Sequence, residues 1–197
     1  DQSILWEAGP SDRTSQSGWL GRIGDLTADT FNAGSQVSLT MSIAGTTLIL
    51  AGDQTIQYQI SSGGVSRVQN TNSLYSSEPG GAALRQLLTK QGTNTFENAL
   101  TTISARAMSN AALVESATSD QTALKTTFPG TGLGAQARMV ARMIGARKAL
   151  SHKRQIFVIS MGGFDNHGEL VKDHAARLTE LDGAMSALYA ATVEMGV

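Results

Sequence analysis

Two side chains near the C-terminal end of the sequence, Asp165 and His167, have the types and the spacing for metal chemistry. A carboxylate oxygen and an imidazole nitrogen are ligands that Zn²⁺, Mn²⁺ and similar divalent ions accept. The pair follows Gly162 and Gly163, where the missing side chains would let a substrate approach the backbone. We therefore take Asp165 and His167 as candidate ligands of a divalent metal.

The residues before this pair predict the strand that would position it. Residues 156–159 form an unbroken apolar run, which is typical of a strand buried on both faces in a parallel sheet. Open α/β sheets place their ligands and catalytic groups at the carboxyl ends of strands. We therefore expect residues 155–160 to be an interior parallel strand, with Asp165 and His167 in a polar cleft at its end.

A purely structural interpretation of the same residues stays open. An amphipathic helix is predicted over residues 169–194, and Asp165 or Asn166 could cap its start. Asn166 followed by Glu169 also has the spacing of a capping box. On this interpretation the two glycines only turn the chain.

His174 lies on the predicted apolar stripe of that helix, which leucines and methionines continue at helical spacing: Leu170, Leu178, Leu181, Met185, Leu188 and Met195. This position favours a buried histidine whose ring nitrogens are satisfied by the core. The alternative is that His174 orients the loop of Asp165 and His167, because it lies two helical turns after His167.

The segment Phe-Val-Ile-Ser-Met-Gly-Gly-Phe-Asp-Asn-His resembles a bacterial family known as domain-of-unknown-function family 1501. The family form is a hydrophobic strand, then Gly-Gly-Phe-Asp-Thr-His, then a long helix with an early histidine. Asn166 replaces the usual Thr, and His174 matches the helix histidine. The Gly-Trp-Leu-Gly-Arg block at residues 18–22 and the stretch 37–65 resemble two further parts of the family.

The resemblance implies a fold and a function. The family is similar to the alkaline phosphatase and sulfatase superfamily, so we expect a partial three-layer α/β/α core with a small antiparallel β meander. It implies an exported, periplasmic or secreted, metal-dependent hydrolase of sulfate or phosphate esters. The metal would be Zn, Mn, Ca or Mg, and the substrate a small anionic ester. The alternative is a structural or binding protein that keeps the sulfatase-like fold without turnover.

Other blocks typical of the family do not occur in this sequence. They are an Arg-Gly-Gly-Ala-Asp-like turn, a Ser-Glu-Phe-Gly-Arg-like block and an Asp-His-Gly block. We therefore expect the chain to be the middle of a longer protein. The nucleophile and the remaining metal ligands would then lie outside these residues.

Composition excludes several classes of function. The 197 residues carry a formal net charge of −1, which gives no electrostatic case for binding nucleic acid. Cysteine is absent, so there is no disulfide framework, no thiolate nucleophile and no cysteine-ligated zinc. No apolar run approaches the length of a transmembrane helix. Nothing in the composition indicates an oligomeric state.

The pattern predicts a single partial domain over residues 1–197 in three stretches. Residues 1–36 are irregular with a short helix over 19–28, in which Trp19, Leu20 and Ile23 pack inward. Residues 37–65 alternate apolar with Ser or Thr and predict the meander. Residues 79–197 supply helices over 82–91, 96–117 and 134–150, then the core strand and the last helix.

One arginine and one cluster of basic residues each have two open interpretations. Arg22 is either a site residue or a surface or salt-bridged arginine. A basic cluster on the third helix of the last stretch could meet an anionic substrate or simply form a solvated helix face: Arg138, Arg142, Arg147 and Lys148.

Overall fold

The structure is a computed structural model that describes residues 6–9, 16–119 and 124–197. Its elements are mostly helices around a small sheet. In chain order they are α1 (Trp19–Asn32), β1 (Thr40–Ser42), a 3₁₀ helix (Leu48–Leu50), β2 (Tyr58–Gln59), α2 (Glu78–Thr89), α3 (Thr95–Ser119), α4 (Gly132–Gly145), β3 (Ile156–Val158) and α5 (Leu170–Met195). The predicted helices are all present, with ends shifted by a few residues.

The three strands form one parallel sheet in the order β2-β1-β3. Met41 at the centre of β1 pairs with Tyr58 on one side and with Phe157 on the other. The predicted antiparallel meander over residues 37–65 is therefore wrong. Its two strands run in the same direction, because the segment between them, with its 3₁₀ helix, forms a crossover instead of a hairpin.

The central strand of this sheet is β1, whereas β3 was expected to be interior. Within the described residues β3 has a single neighbour, and residues 156–159 are only half-buried. On β1, by contrast, Thr40 and Ser42 are as fully buried as Met41. The Thr40 hydroxyl pairs with that of Ser38 at 3.1 Å, and Ser42 Oγ accepts from the Ala44 amide at 3.2 Å. These bonds let polar residues lie on the buried faces of a central strand.

Glycines bring the start of α1 against the 3₁₀ helix and the residues that follow it. The backbone around Gly18 and Gly21 lies so close to residues 48–52 that an added Cβ would overlap backbone atoms there. The Gly18 amide donates to the Ala51 carbonyl at 2.7 Å. Trp19 and Ile23 are 40% and 42% exposed, so the prediction that they pack inward is wrong. The glycines form the buried face because only they allow this approach.

A pair of helices, α4 and α5, packs together through small residues. On α4 the buried residues include Ala137, Val140 and Ala141, which repeat at helical spacing. On α5 the buried residues are Ala184, Ala187 and Ala191, while Leu178 and Met185 are 47% and 62% exposed. The predicted leucine and methionine stripe of α5 is therefore wrong for much of its length.

The residues Val65–Ser116 form a second compact unit, separate from the unit that contains the sheet. This second unit contains α2 and most of α3. On α3, Ala111 and Val114 are buried, whereas apolar residues earlier in the helix are exposed, namely Phe96, Leu100 and Ile103. Among the described residues, no helix has the length and apolar character that crossing a membrane requires.

Candidate functional site

The loop that carries the candidate residues connects β3 to α5. Directly after β3, the backbone of Ser160 is held by the side chain of Gln136 on α4. Gln136 Nε2 donates to the Ser160 carbonyl and Gln136 Oε1 accepts from the Ser160 amide, each at 2.9 Å. The Gln136 side chain supplies one donor and one acceptor to the Ser160 backbone, as a neighbouring strand would. Helix α4 therefore fixes the point at which the loop begins.

Asp165 and His167 lie side by side on this loop. Asp165 Oδ1 is 3.2 Å from His167 Nε2. Both side chains are about nine-tenths exposed, at 92% and 88%. The structure thus brings the two predicted ligands together, but it places them at the surface and not in the expected cleft.

The two glycines before the pair differ in their surroundings. Gly163 has φ +88°, a left-handed conformation that other residues rarely adopt. A Cβ added there would lie 2.7 Å from Nε of Arg177, on α5. A Cβ at Gly162 would meet nothing within 4 Å. Gly163 is therefore required by its backbone conformation, and Gly162 leaves the loop open to solvent.

Arg177 is a cation beside the site that sequence patterns did not select. Its Nη1 lies 3.5 Å from Glu180 Oε2, and its side chain is 43% exposed. Glu180 also accepts weakly from the Leu133 amide, at 3.4 Å, at the start of α4. Arg177 follows His174 by one helical turn, and this spacing was the signal that could have identified it.

His174 contacts the loop through an aromatic ring. The rings of His174 and Phe164 meet edge to face, with centroids 5.8 Å apart and an interplanar angle of 75°. His174 is exposed, so the prediction of a core histidine on a buried stripe is wrong. Its contact with Phe164, the neighbour of Asp165, is consistent in position with a role in orienting the loop.

The capping interpretation of the loop is contradicted. Helix α5 follows Glu169, which has φ 42° and makes no side-chain capping bond. The Asn166 amide donates to the Phe164 carbonyl at 3.1 Å, within the loop. Asn166 Nδ2 is buried without a hydrogen-bond acceptor in the described part of the chain. Neither Asp165 nor Asn166 therefore caps the helix.

The buried histidine of the chain is His152, which sequence patterns also did not select. It is 5% exposed, its Nε2 lies 3.0 Å from the Val37 carbonyl, and its Nδ1 accepts from Gln155 Nε2 at 3.1 Å. Burial lowers the pKa of His152, and the bond to Val37 offsets only part of this effect. A neutral ring satisfied on both nitrogens makes His152 a structural residue.

Arg22, the other candidate raised by sequence, is also structural. Its Nη1 donates to the Ser17 carbonyl at 2.8 Å, and its Nη2 donates to the Ala8 carbonyl at 2.6 Å. These bonds tie the segment before α1 to the helix. Arg22 lies half-buried, so it is neither a simple surface arginine nor part of the Asp165 loop.

Asp165 and His167 fit part of a metal shell. Ligand bonds of about 2.0–2.2 Å at tetrahedral or octahedral angles separate two ligand atoms by about 2.8 to 3.6 Å, and the observed separation is 3.2 Å. In the described part of the chain, no three His, Asp or Glu side chains are grouped to hold an ion. The loop thus supplies two ligands of a shell that needs more.

Comparison with known proteins identifies the family of this chain but no activity or ligand. A family model described as "Protein of unknown function (DUF1501)" matches residues 5–196, which include both the glycine-rich start of α1 and the Asp165 loop. No curated protein and no solved structure gave a significant match. The match covers nearly the whole chain and confirms the family predicted from the resemblance. The chain therefore belongs to the protein family of unknown function DUF1501.

Proposed function

We propose that this protein is a metal-dependent hydrolase of sulfate or phosphate esters, in which Asp165 and His167 supply part of the shell of a divalent ion. The observation that carries the proposal is the 3.2 Å separation of Asp165 Oδ1 and His167 Nε2 on the loop after a parallel strand. We assign the nucleophile and the remaining ligands to none of the described residues.

The neighbouring groups suit an anionic ester. The guanidinium of Arg177 lies against Gly163, and it offers a positive charge to ester oxygens. Asn166 Nδ2 is a buried donor that still lacks an acceptor among the described residues. The metal, when bound, would stabilise negative charge on the ester oxygens and activate the attacking group. Asp165, His167, Asn166 and Arg177 would together bind and orient the substrate.

We also propose, from the family resemblance, that the complete fold is of the sulfatase and alkaline phosphatase type and that the protein is periplasmic or secreted. A parallel strand followed by a glycine-rich loop and a long helix supports the proposed fold. The export proposal rests on the resemblance alone.

A second candidate function is a non-catalytic structural or binding protein with the same fold. The observation that favours it is the exposure of Asp165 and His167, since catalytic ligands are usually held in a dry, shaped cavity. In this alternative the loop would bind a partner or an ion without turnover.

Zinc titration of the chain, followed by NMR of its three histidines, tests the metal ligands. We expect saturable shifts of the His167 ring and none of His152, whose nitrogens are already bonded. Binding should be weak, because two ligands leave the shell open. Asp165→Asn should weaken it further, whereas Asp182→Asn, a control at an exposed position of α5, should not.

Hydrolysis of 4-nitrophenyl sulfate and 4-nitrophenyl phosphate by the intact protein distinguishes the two functions, because we assign the nucleophile and the remaining ligands to none of the described residues. Metal-stimulated turnover that is lost in His167→Gln supports the hydrolase. Metal binding at Asp165 and His167 without any turnover supports the binding protein. If zinc leaves the His167 resonances unchanged, the metal proposal is wrong for both.

A further inference from the structure

A cavity of about 420 Å³ lies in the unit that contains the sheet, between α4 and the segment before it. Three cationic side chains line it, and within the described residues no acidic side chain does: Lys125, Arg138 and Arg142. Its volume falls in the range of small-molecule sites, about 300–1,000 Å³. Asp165 and His167 are not among its lining residues, so this cavity is distinct from the candidate metal loop.

The two arginines project from the same face of α4. They are four residues apart, so their side chains are neighbours on the helix surface. Arg142 is half-buried and oriented by a bond from its Nη2 to the Thr118 carbonyl, at 3.1 Å. Like charges at this spacing repel one another. In the described part of the chain, neither arginine pairs with a carboxylate that would relieve this repulsion.

The opposite wall of the cavity is held in place by an acidic residue of α5. Glu194 Oε1 accepts from the Lys125 amide at 2.7 Å, and its Oε2 accepts from the Thr126 amide and hydroxyl at 3.0 and 2.6 Å. Both carboxylate oxygens are therefore committed to the wall. The wall is fixed before a ligand arrives, which lowers the entropic cost of binding.

The remaining lining defines the chemical class of the ligand. Guanidinium groups match the oxygens of a phosphoryl group through paired hydrogen bonds. Leu124 and Phe128 add apolar surface next to the cations. We propose that this cavity binds a phosphate monoester of a small organic molecule, with its phosphoryl group on Arg138, Arg142 and Lys125 and its organic part on Leu124 and Phe128. This site is independent of the proposed hydrolase function.

Calorimetric titration at low salt with phenyl phosphate tests the proposal, with inorganic phosphate and phenol as reference ligands. We expect saturable binding of phenyl phosphate, weaker binding of inorganic phosphate and none of phenol. Binding should weaken as salt rises, because charge supplies most of the attraction.

Variants localise the binding. Arg138→Gln should lower the affinity about ten-fold or more, the value of one charge-assisted hydrogen bond. Arg138 is exposed, so this variant should fold normally, and circular dichroism checks that. Lys148→Gln removes one positive charge from the exposed residues just after α4, outside the cavity, and should change the affinity less than about two-fold.

Three outcomes would overturn the proposal. They are absence of saturable binding by phenyl phosphate, equal loss of affinity in Arg138→Gln and Lys148→Gln, and equal affinity for phenyl phosphate and phenol. If phenyl phosphate and inorganic phosphate bind with equal affinity, the cavity binds the phosphoryl group alone. That result would overturn the proposal that Leu124 and Phe128 contact the organic part.

Discussion

Gln136 on α4 holds the backbone of Ser160 by two hydrogen bonds, both 2.9 Å long, at the point where β3 gives way to the Asp165 loop. Gln136→Met removes both bonds and should destabilise the domain by about 1–3 kcal/mol. Gln136→Glu keeps an acceptor for the Ser160 amide. We therefore expect hydrogen exchange of that amide to accelerate in Gln136→Met and to change much less in Gln136→Glu. Equal exchange in all three proteins would contradict the role of Gln136.

Gly163→Ala places a Cβ at a residue with φ +88° and near Nε of Arg177. Since arginine can move aside, the backbone conformation dominates the cost, and we expect a loss of about 1–2 kcal/mol in unfolding free energy. Gly162→Ala is the matched control, because its Cβ would meet nothing within 4 Å. Urea unfolding measures both, and equal midpoints for the two variants would contradict this account.

Asp25 on α1 accepts from three loop amides, those of Asp53, Gln54 and Thr55, at 2.7, 3.2 and 2.6 Å. Burial by itself would raise the pKa of Asp25. The Thr55 hydroxyl and the three amides together lower it below its ordinary value of 3.8. The stabilisation is therefore present above pH 3.8 and is lost as the pH falls through the lower pKa of the folded state.

Asp25→Asn should reduce the unfolding free energy at pH 7 by about 1–3 kcal/mol, because one of the amides would face an NH₂ group. The difference from the parent protein should shrink as the pH falls below about 4. Asp29→Asn, at an exposed position of the same helix, serves as the control and should change little. A difference that does not depend on pH would show that the charge of Asp25 is not the cause.

His152 has a folded-state pKa below its ordinary value of 6.5, because burial disfavours the charged ring. The unfolded chain binds a proton below pH 6.5 that the folded protein does not, so stability should fall as the pH drops from 6.5. Denaturation between about pH 5 and 8 should give this slope in the parent protein and in His167→Gln. His152→Gln should lack it, and a slope retained in that variant would assign the titration elsewhere.

Leu181 is partly buried against a cluster of Leu133, Ala137 and Ala184. Leu181→Ala should therefore destabilise the domain by about 2 kcal/mol, the low end of the range for buried leucines. Leu178→Ala, at a position that is 47% exposed, should change stability by about 0.5 kcal/mol or less. Equal urea midpoints for the two variants would show that Leu181 contributes no packing.

The sequence by itself determined the helices and the proximity of Asp165 and His167. Helices α1, α4 and α5 repeat apolar or small residues at helical spacing, and polar and glycine-rich segments separate them from the neighbouring elements. Both signals are local in the sequence. The contact between Asp165 and His167 is also local, because only Asn166 separates them on one short loop. The family resemblance likewise depended on a contiguous motif.

Only the tertiary structure decided which strands are neighbours and which helix faces are buried. The alternation of apolar residues with Ser and Thr over β1 predicted an antiparallel strand. Thr40 and Ser42 are nevertheless buried, because their hydroxyls are hydrogen-bonded. On α5 the alanines, not the longer residues at Leu178 and Met185, form the buried face, since α4 approaches closely. Strand pairing and close helix packing join residues that are far apart in the chain. The apolar periodicity of one segment does not identify the segment with which it pairs.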